Sequence, residues 1–231
     1  MIQRWFCADL HLGHRNILKY TPRPWNTIEE MNEAILSNFN SVLGKRDELY
    51  IVGDFAFDRH GYWINAIRGK KFLIRGSHDK MSVEHYRCFT EVDDVKKIKL
   101  KNKRFCIMMH CCPRIFEKSH YGAYCLFGHS HGRLKTFNLS VDVGIDSNDV
   151  PNKYFPTHED NIIKIMDERE KMMNEAGRIV KEGNKILYRQ DDVSYFRNQL
   201  FKTNEQDCEG QEDDDEPVSV VQEADSRTSR N

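Results

Sequence analysis

The chain has 231 residues, of which 39% are hydrophobic and 31% charged, with a formal net charge of -1 and a mean hydropathy of -0.71. That length suits one domain with extensions; no apolar run is long enough to span a bilayer and no secretory-type leader is evident, so the expected location is cytoplasmic. Seven cysteines lack Cys-x-x-Cys spacing, and Cys7, Cys106 and Cys125 sit inside apolar runs, which argues for reduced buried thiols over a disulfide framework.

The small net charge hides an asymmetry. Residues 205–231 hold ten acidic and two basic residues, whereas residues 1–204 hold 26 acidic and 33 basic. A mildly basic body suits a phosphorylated substrate but is too weak a signal to diagnose nucleic-acid binding.

In chain order, Trp5, Phe6, Cys7 and Ala8 predict a buried strand that stops at Asp9, where Asp9-Leu10-His11-Leu12-Gly13-His14 begins. Because side chains alternate along an extended backbone, Asp9 and His11 are expected to point the same way. Thr21-Pro22-Arg23-Pro24-Trp25 reads as an extended connector because the prolines oppose helix. Thr27 and Glu30 form a capping-box signature, and Ile28, Met31, Ile35, Phe39 and Val42 recur at helical spacing up to Gly44. A strand then closes on Gly53-Asp54. A helix around His60–Ile67 precedes a strand over Lys71–Arg75 that runs into Gly76-Ser77-His78-Asp79. Alternating strands and helices imply parallel pairing with helices packed on the sheet.

Beyond Asp79 a short helix is expected over Ser82–Arg87. Val95–Leu100 and Arg104–Met109 read as a hairpin leading to His110, so antiparallel character is expected in the second half. Strands over Ala123–Phe127 and Leu139–Val143 flank Gly128-His129-Ser130-His131. From Thr157 a helical stripe is expected through Ile162, Ile165, Met166, Met172, Met173, Ala176, Ile179 and Val180, docked on the body. Asp191 or Asp192 could cap a last helix carrying Tyr195, Phe196, Leu200 and Phe201. Past Thr203 large apolar residues almost vanish, which predicts disorder. The expected organisation is a catalytic body over 1–155, a helical extension over 156–203 and an acidic tail over 204–231.

Five apolar runs therefore end in Asp or His, and together these endings resemble the calcineurin-like metallophosphoesterase superfamily, most of all the small phosphoesterases of phages and bacteria. The resemblance covers Trp5 to Asp146. It implies an α/β fold of two packed mixed sheets flanked by helices, in a four-layer α/β/β/α sandwich. It also implies two divalent cations, with Mn²⁺ expected first and Fe, Zn, Co or Ni as alternatives. By resemblance Asp54 bridges them, Asp9, His11 and His131 complete one site, and His110 and His129 serve the other. His78 is expected near the leaving oxygen as a proton donor, with Asp79 orienting its ring. His14 is a candidate phosphate contact, and Asp142 and Asp146 are candidates to orient ligating imidazoles. The departure is Ser77, which stands where the family has an Asn ligand, so the second cation is expected to be weakly held.

The implied activity is hydrolysis of a phosphomonoester or phosphodiester by a metal-activated hydroxide without a covalent enzyme intermediate. The substrate would be a phosphorylated small molecule or nucleotide, with no membrane partner. Two rivals stand beside it. One is a nuclease of the same superfamily, which calls for a basic groove; the other is a catalytically weakened binding module, which ought to have lost several histidines. His60, His85, His120 and His158 read as ordinary surface or loop histidines, and Cys111 and Cys112 have no base to activate them.

Overall fold

The computed structural model describes residues 2–183 and 185–188, all within the unit Met1–Arg189; the unit Gln190–Asn231 lies outside the described residues. The first half alternates as the sequence predicts. Strand β1 (Arg4–Cys7) is followed by a single helical turn, α1 (Ile17–Tyr20), and by helix α2 (Ile28–Val42). Thr27 accepts the Glu30 N–H and Glu30 accepts the Thr27 N–H, so the expected capping box starts α2. Then come β2 (Glu48–Val52), α3 (His60–Ala66), β3 (Lys70–Ile74), the short α4 (Val83–Tyr86) and β4 (Glu91–Asp93). Strands β1 to β4 pair in parallel.

The second half supplies β5 (Lys96–Lys99), β6 (Phe105–Met108), β7 (Tyr124–Phe127) and β8 (Ser140–Asp142) in the order β5-β6-β7-β8. The expected hairpin is β5–β6, paired antiparallel. The pairs β6–β7 and β7–β8 are parallel, because the segments between them are long enough for crossover connections. Strand β9 (Thr157–His158) returns antiparallel to the edge of β1, giving the first sheet the order β4-β3-β2-β1-β9. The architecture is therefore two mixed sheets flanked by helices.

Strand alternation distributes the core. Leu49 and Ile51 of β2 face α2 with Met31, Ile35 and Phe39, while Tyr50 and Val52 face the second sheet with Met108, Leu126 and Val141. Helix α5 (Glu159–Glu175) sends Ile162 and Met166 into the same between-sheet core.

The helix does not run on through the expected stripe. It stops at Glu175, Gly177 turns at φ 64, and Ile179–Glu182 (β10) pairs antiparallel with Lys185–Tyr188 (β11). Glycine is favoured in that left-handed helix-stop conformation, and Ile179 joins the core from a strand. Helical spacing could not separate the two outcomes over so few residues. The expected helix around Tyr195–Phe201 and the acidic tail lie outside the described residues. No described helix is long and apolar enough to cross a membrane.

The two sheets are stitched where β1 ends. Ala8 donates to the Val143 carbonyl and accepts from Ile145, and Asp9 donates to the Gly53 carbonyl. This brings the carboxyl ends of β1, β2, β3, β6 and β7 to one rim. Phe39 is fully buried under the first sheet; Phe39→Ala should cost about 3–5 kcal/mol in urea unfolding. A loss below 1 kcal/mol would mean that α2 is not packed as described.

Candidate metal centre

Two groups of potential metal ligands converge on that rim. Asp9, His11 and His131 each place a donor atom within 4.8 Å of the others, and so do Asp54, His110 and His129. Asp54 lies between the groups: its Oδ2 is 3.3 Å from His110 Nε2 and 3.6 Å from His11 Nε2. The buried His11 Nδ1 and Nε2 and His110 Nε2 have no hydrogen-bond partner. Buried polar atoms are normally satisfied. Orphaned imidazole nitrogens beside carboxylates are the donor set that suits a divalent cation, so the residues fit the expected pair.

The route to this geometry differs from the expected alternation along an extended backbone. Strand β1 has ended by Cys7, and Asp9 (φ 57) and His11 (φ 52) are both left-handed, as are Asp54 (φ 54), His129 (φ 68) and His131 (φ 49). Each such residue costs on the order of 1–3 kcal/mol unless its surroundings impose it. Here they do. Asp9 accepts the His129 N–H through both carboxylate oxygens, at 3.0 and 2.9 Å, and Asp54 accepts the His78 N–H at 3.0 Å. His11 donates to the Asp54 carbonyl. At Gly53 (φ 90) a side chain would run into the His110 ring and the Gly76 backbone.

The imidazoles are aimed by partners behind them. His110 Nδ1 lies 2.9 Å from the Val52 carbonyl, which leaves Nε2 for the site. His131 Nδ1 is 3.0 Å from Asp146, whose carboxylate is gripped by Arg23 Nε and Nη2 at 3.1 and 2.9 Å. Arg23 also donates to the Asp9 and Leu10 carbonyls, at 2.7 and 3.0 Å. Asp142 plays a different part from Asp146: it accepts from Ser130 Oγ and the Gly132 and Gly144 amides, and so shapes the loop that carries His129 and His131.

Charge in the cluster is finely set. Burial lifts the Asp9 carboxyl to about 7 against the pull of His131 and His110. Burial also opposes charge on His110, but the close Asp54 carboxylate outweighs it and raises that imidazole to about 9. Burial keeps His11 well below the usual histidine range.

The remaining candidates divide. His14 lies flat on Phe57, with ring centroids 3.8 Å apart, and burial followed by the charge of His78 lowers it to about 4. His78 is exposed on the same rim, its ring 5.8 Å from His11. Ser77 is exposed at the apex of the turn, and its hydroxyl has no hydrogen bond among the described residues.

Asp79 corrects an expectation. Its carboxylate does not orient the His78 ring; it accepts the N–H groups of Asp54, Phe55 and Gly76 at 2.8, 2.8 and 2.7 Å. His60, His85, His120 and His158 stay outside both groups. Sequence reasoning missed the grip of Arg23 on Asp146 and the ring of Phe57 against His14. The only trace of Arg23's role was a cation confined between two prolines, and Phe57 lay three residues beyond Asp54 with no pattern to mark it.

No known protein-family profile matches the chain. It is 26% identical over 180 residues to an uncharacterized protein of Methanocaldococcus jannaschii, covering 71% of this chain and 91% of that protein. It is 33% identical over 85 residues to the gene 66 protein of Mycobacterium phage L5; that match covers 34% of this chain and spans 41% of the phage protein. Among solved structures, a protein of unknown function from Aquifex aeolicus superposes with a TM-score of 0.56 at 23% identity, covering 71% of this chain and all of that one. That likeness supports the fold.

Asp79→Ala should orphan two buried amides and one half-buried one and cost roughly 3 kcal/mol or more in thermal or urea unfolding. A variant of unchanged stability that has lost only activity would restore the ring-orienting role.

Proposed function

We propose that the protein is a metal-dependent phosphoesterase of the calcineurin-like superfamily, hydrolysing a phosphomonoester or phosphodiester of a small molecule or nucleotide. The observation that carries this is the pair of ligand groups meeting at Asp54 on the carboxyl rim of the strands. Asp9, His11 and His131 would hold one cation, His110 and His129 the other, and Asp54 both. When bound, such a pair supplies Lewis-acid charge at the phosphoryl oxygens and makes water acidic enough to act as the nucleophile near neutral pH.

The chain's own residues do the rest. Arg23 and Asp146 fix which nitrogen His131 offers, and the Val52 carbonyl does the same for His110. The exposed imidazole of His78 stands on the rim, free to hydrogen-bond a phosphoryl oxygen and to give a proton to the leaving oxygen. The flat His14–Phe57 stack forms one wall beside it. Mixed carboxylate and imidazole donors favour Mn²⁺ as the working ion. Buried free thiols at Cys7, Cys106 and Cys125 accord with a cytoplasmic setting.

The nuclease reading draws little from the basic run of β5–β6. Lys96 pairs with Glu91 and Asp93, Lys97 with Glu117, Lys101 with Asp160 and Arg104 with Glu170, so these cations are spent within the protein. The binding-module reading expects eroded ligands, whereas all six Asp and His donors are present.

Chelator-treated protein should lose hydrolysis of bis(p-nitrophenyl) phosphate and regain it with Mn²⁺; undiminished turnover after verified metal removal would end this proposal. Ser77→Asn should restore an amide oxygen beside the Asp54–His110–His129 group. Calorimetric Mn²⁺ titration should then show a second ion bound at least about tenfold more tightly, or about 1.4 kcal/mol. Identical titrations of parent and variant would remove Ser77 from the ligand set.

A further inference from the structure

We infer that Phe57 is the positioning residue of His78, taking the role that the sequence suggests for Asp79. The inference rests on the reading of His78 as the proton donor given above. Asp79 is committed to three backbone amides. The His78 ring has no hydrogen bond to the protein among the described residues, although its backbone N–H is tied to Asp54. An imidazole fixed only at its backbone sweeps through several rotamers. What limits that sweep is packing: Phe57 lies 5.0 Å from the His78 ring, centroid to centroid, ahead of His11 at 5.8 Å and His14 at 6.4 Å.

Phe57 is itself held from two sides. Its N–H donates to the Leu12 carbonyl at 2.8 Å, and Leu12 in turn donates to the Phe55 carbonyl, so the loops after β1 and β2 run as a paired ribbon. Its ring lies on His14 at an interplanar angle of 9°. The side chain nevertheless remains 38% exposed. A large aromatic left that open beside polar residues, with one face stacked on His14, His11 5.8 Å away and His78 nearer at 5.0 Å, serves as a backstop for the His78 imidazole. Ring-to-ring contact of this kind favours one rotamer about two- to tenfold while leaving the ring free to exchange protons.

The test has two arms on the full chain. In metal-free protein, NMR should show nuclear Overhauser cross-peaks between the His78 ring protons and the Phe57 ring, and Phe57→Leu should remove them without disturbing the core resonances. In Mn²⁺-loaded protein, Phe57→Leu should lower kcat on an alkyl phosphodiester about two- to tenfold with KM within about twofold, a fraction of the 10²–10⁴-fold that acid catalysis contributes. The loss should shrink with p-nitrophenyl esters, whose leaving group needs no proton, and vanish in a His78→Ala background. Phe57→Tyr should recover the rate, and bound Mn²⁺ per chain should be unchanged throughout. Absent cross-peaks in an active protein would overturn this inference alone, as would an equal loss with and without His78. A larger loss on the aryl ester would overturn it in favour of stacking by the leaving group. A metal-loaded parent that hydrolyses neither ester would instead remove the phosphoesterase reading, leaving the cross-peaks to decide where the ring sits.

Discussion

The rim of this protein depends on backbone N–H groups donated into buried carboxylates. Asp9 takes the amide of His129 from the second sheet, Asp54 takes that of His78, and Asp79 takes three from the loops after β2 and β3. Except for the Gly76 bond, which closes the turn after β3 on itself, each joins two different loops. Amide-to-carboxylate bonds are stronger than bonds between neutral groups. They can therefore hold five ligand-bearing residues in left-handed backbone, a state that would relax in an isolated loop. The strain is the consequence of bringing side chains from five strand ends to one place.

The same carboxylates create an electrostatic problem. Asp9 and Asp54 face His11, His110 and His131 in a space largely closed to water. Imidazoles stand in for part of the missing positive charge: Asp54 holds the His110 ring protonated to about 9, while burial keeps Asp9 from ionising until about 7 against the pull of His131 and His110. Neither arrangement leaves every polar atom satisfied, since nitrogens of His11 and His110 still lack partners. Divalent cations would resolve both difficulties with the atoms already in position. Arg23 supplies the remaining counter-charge from behind, through Asp146 and the carbonyls of Asp9 and Leu10.

Much of this was legible in the sequence because apolar runs that stop at Asp or His are visible without a structure. That pattern picked out Asp9, His11, Asp54, His110, His129 and His131, and the capping box at Thr27 marked the start of α2. Phe6, Tyr50 and Val52 read as strand residues because both faces of a central sheet are buried. The losses have physical causes as well. Alternation assumed an extended backbone, but tight loop closure put Asp9 and His11 in the left-handed region. A carboxylate next to His78 suggested a side-chain contact, whereas the backbone competed for it and won. The hairpin after α5 was hidden because Ile179 and Val180 fit helical spacing equally well, and only the glycines at 177 and 183 marked the change.

The geometry calls for one dinuclear centre formed by six side chains from two sheets and shared through Asp54. Anomalous diffraction at the manganese edge, from crystals of the full chain grown with Mn²⁺, is the decisive measurement. Two peaks are expected, one among Asp9, His11 and His131 and one between His110 and His129, each within coordination distance of Asp54. Peaks elsewhere on the surface, or none on the rim at saturating Mn²⁺, would contradict a shared centre.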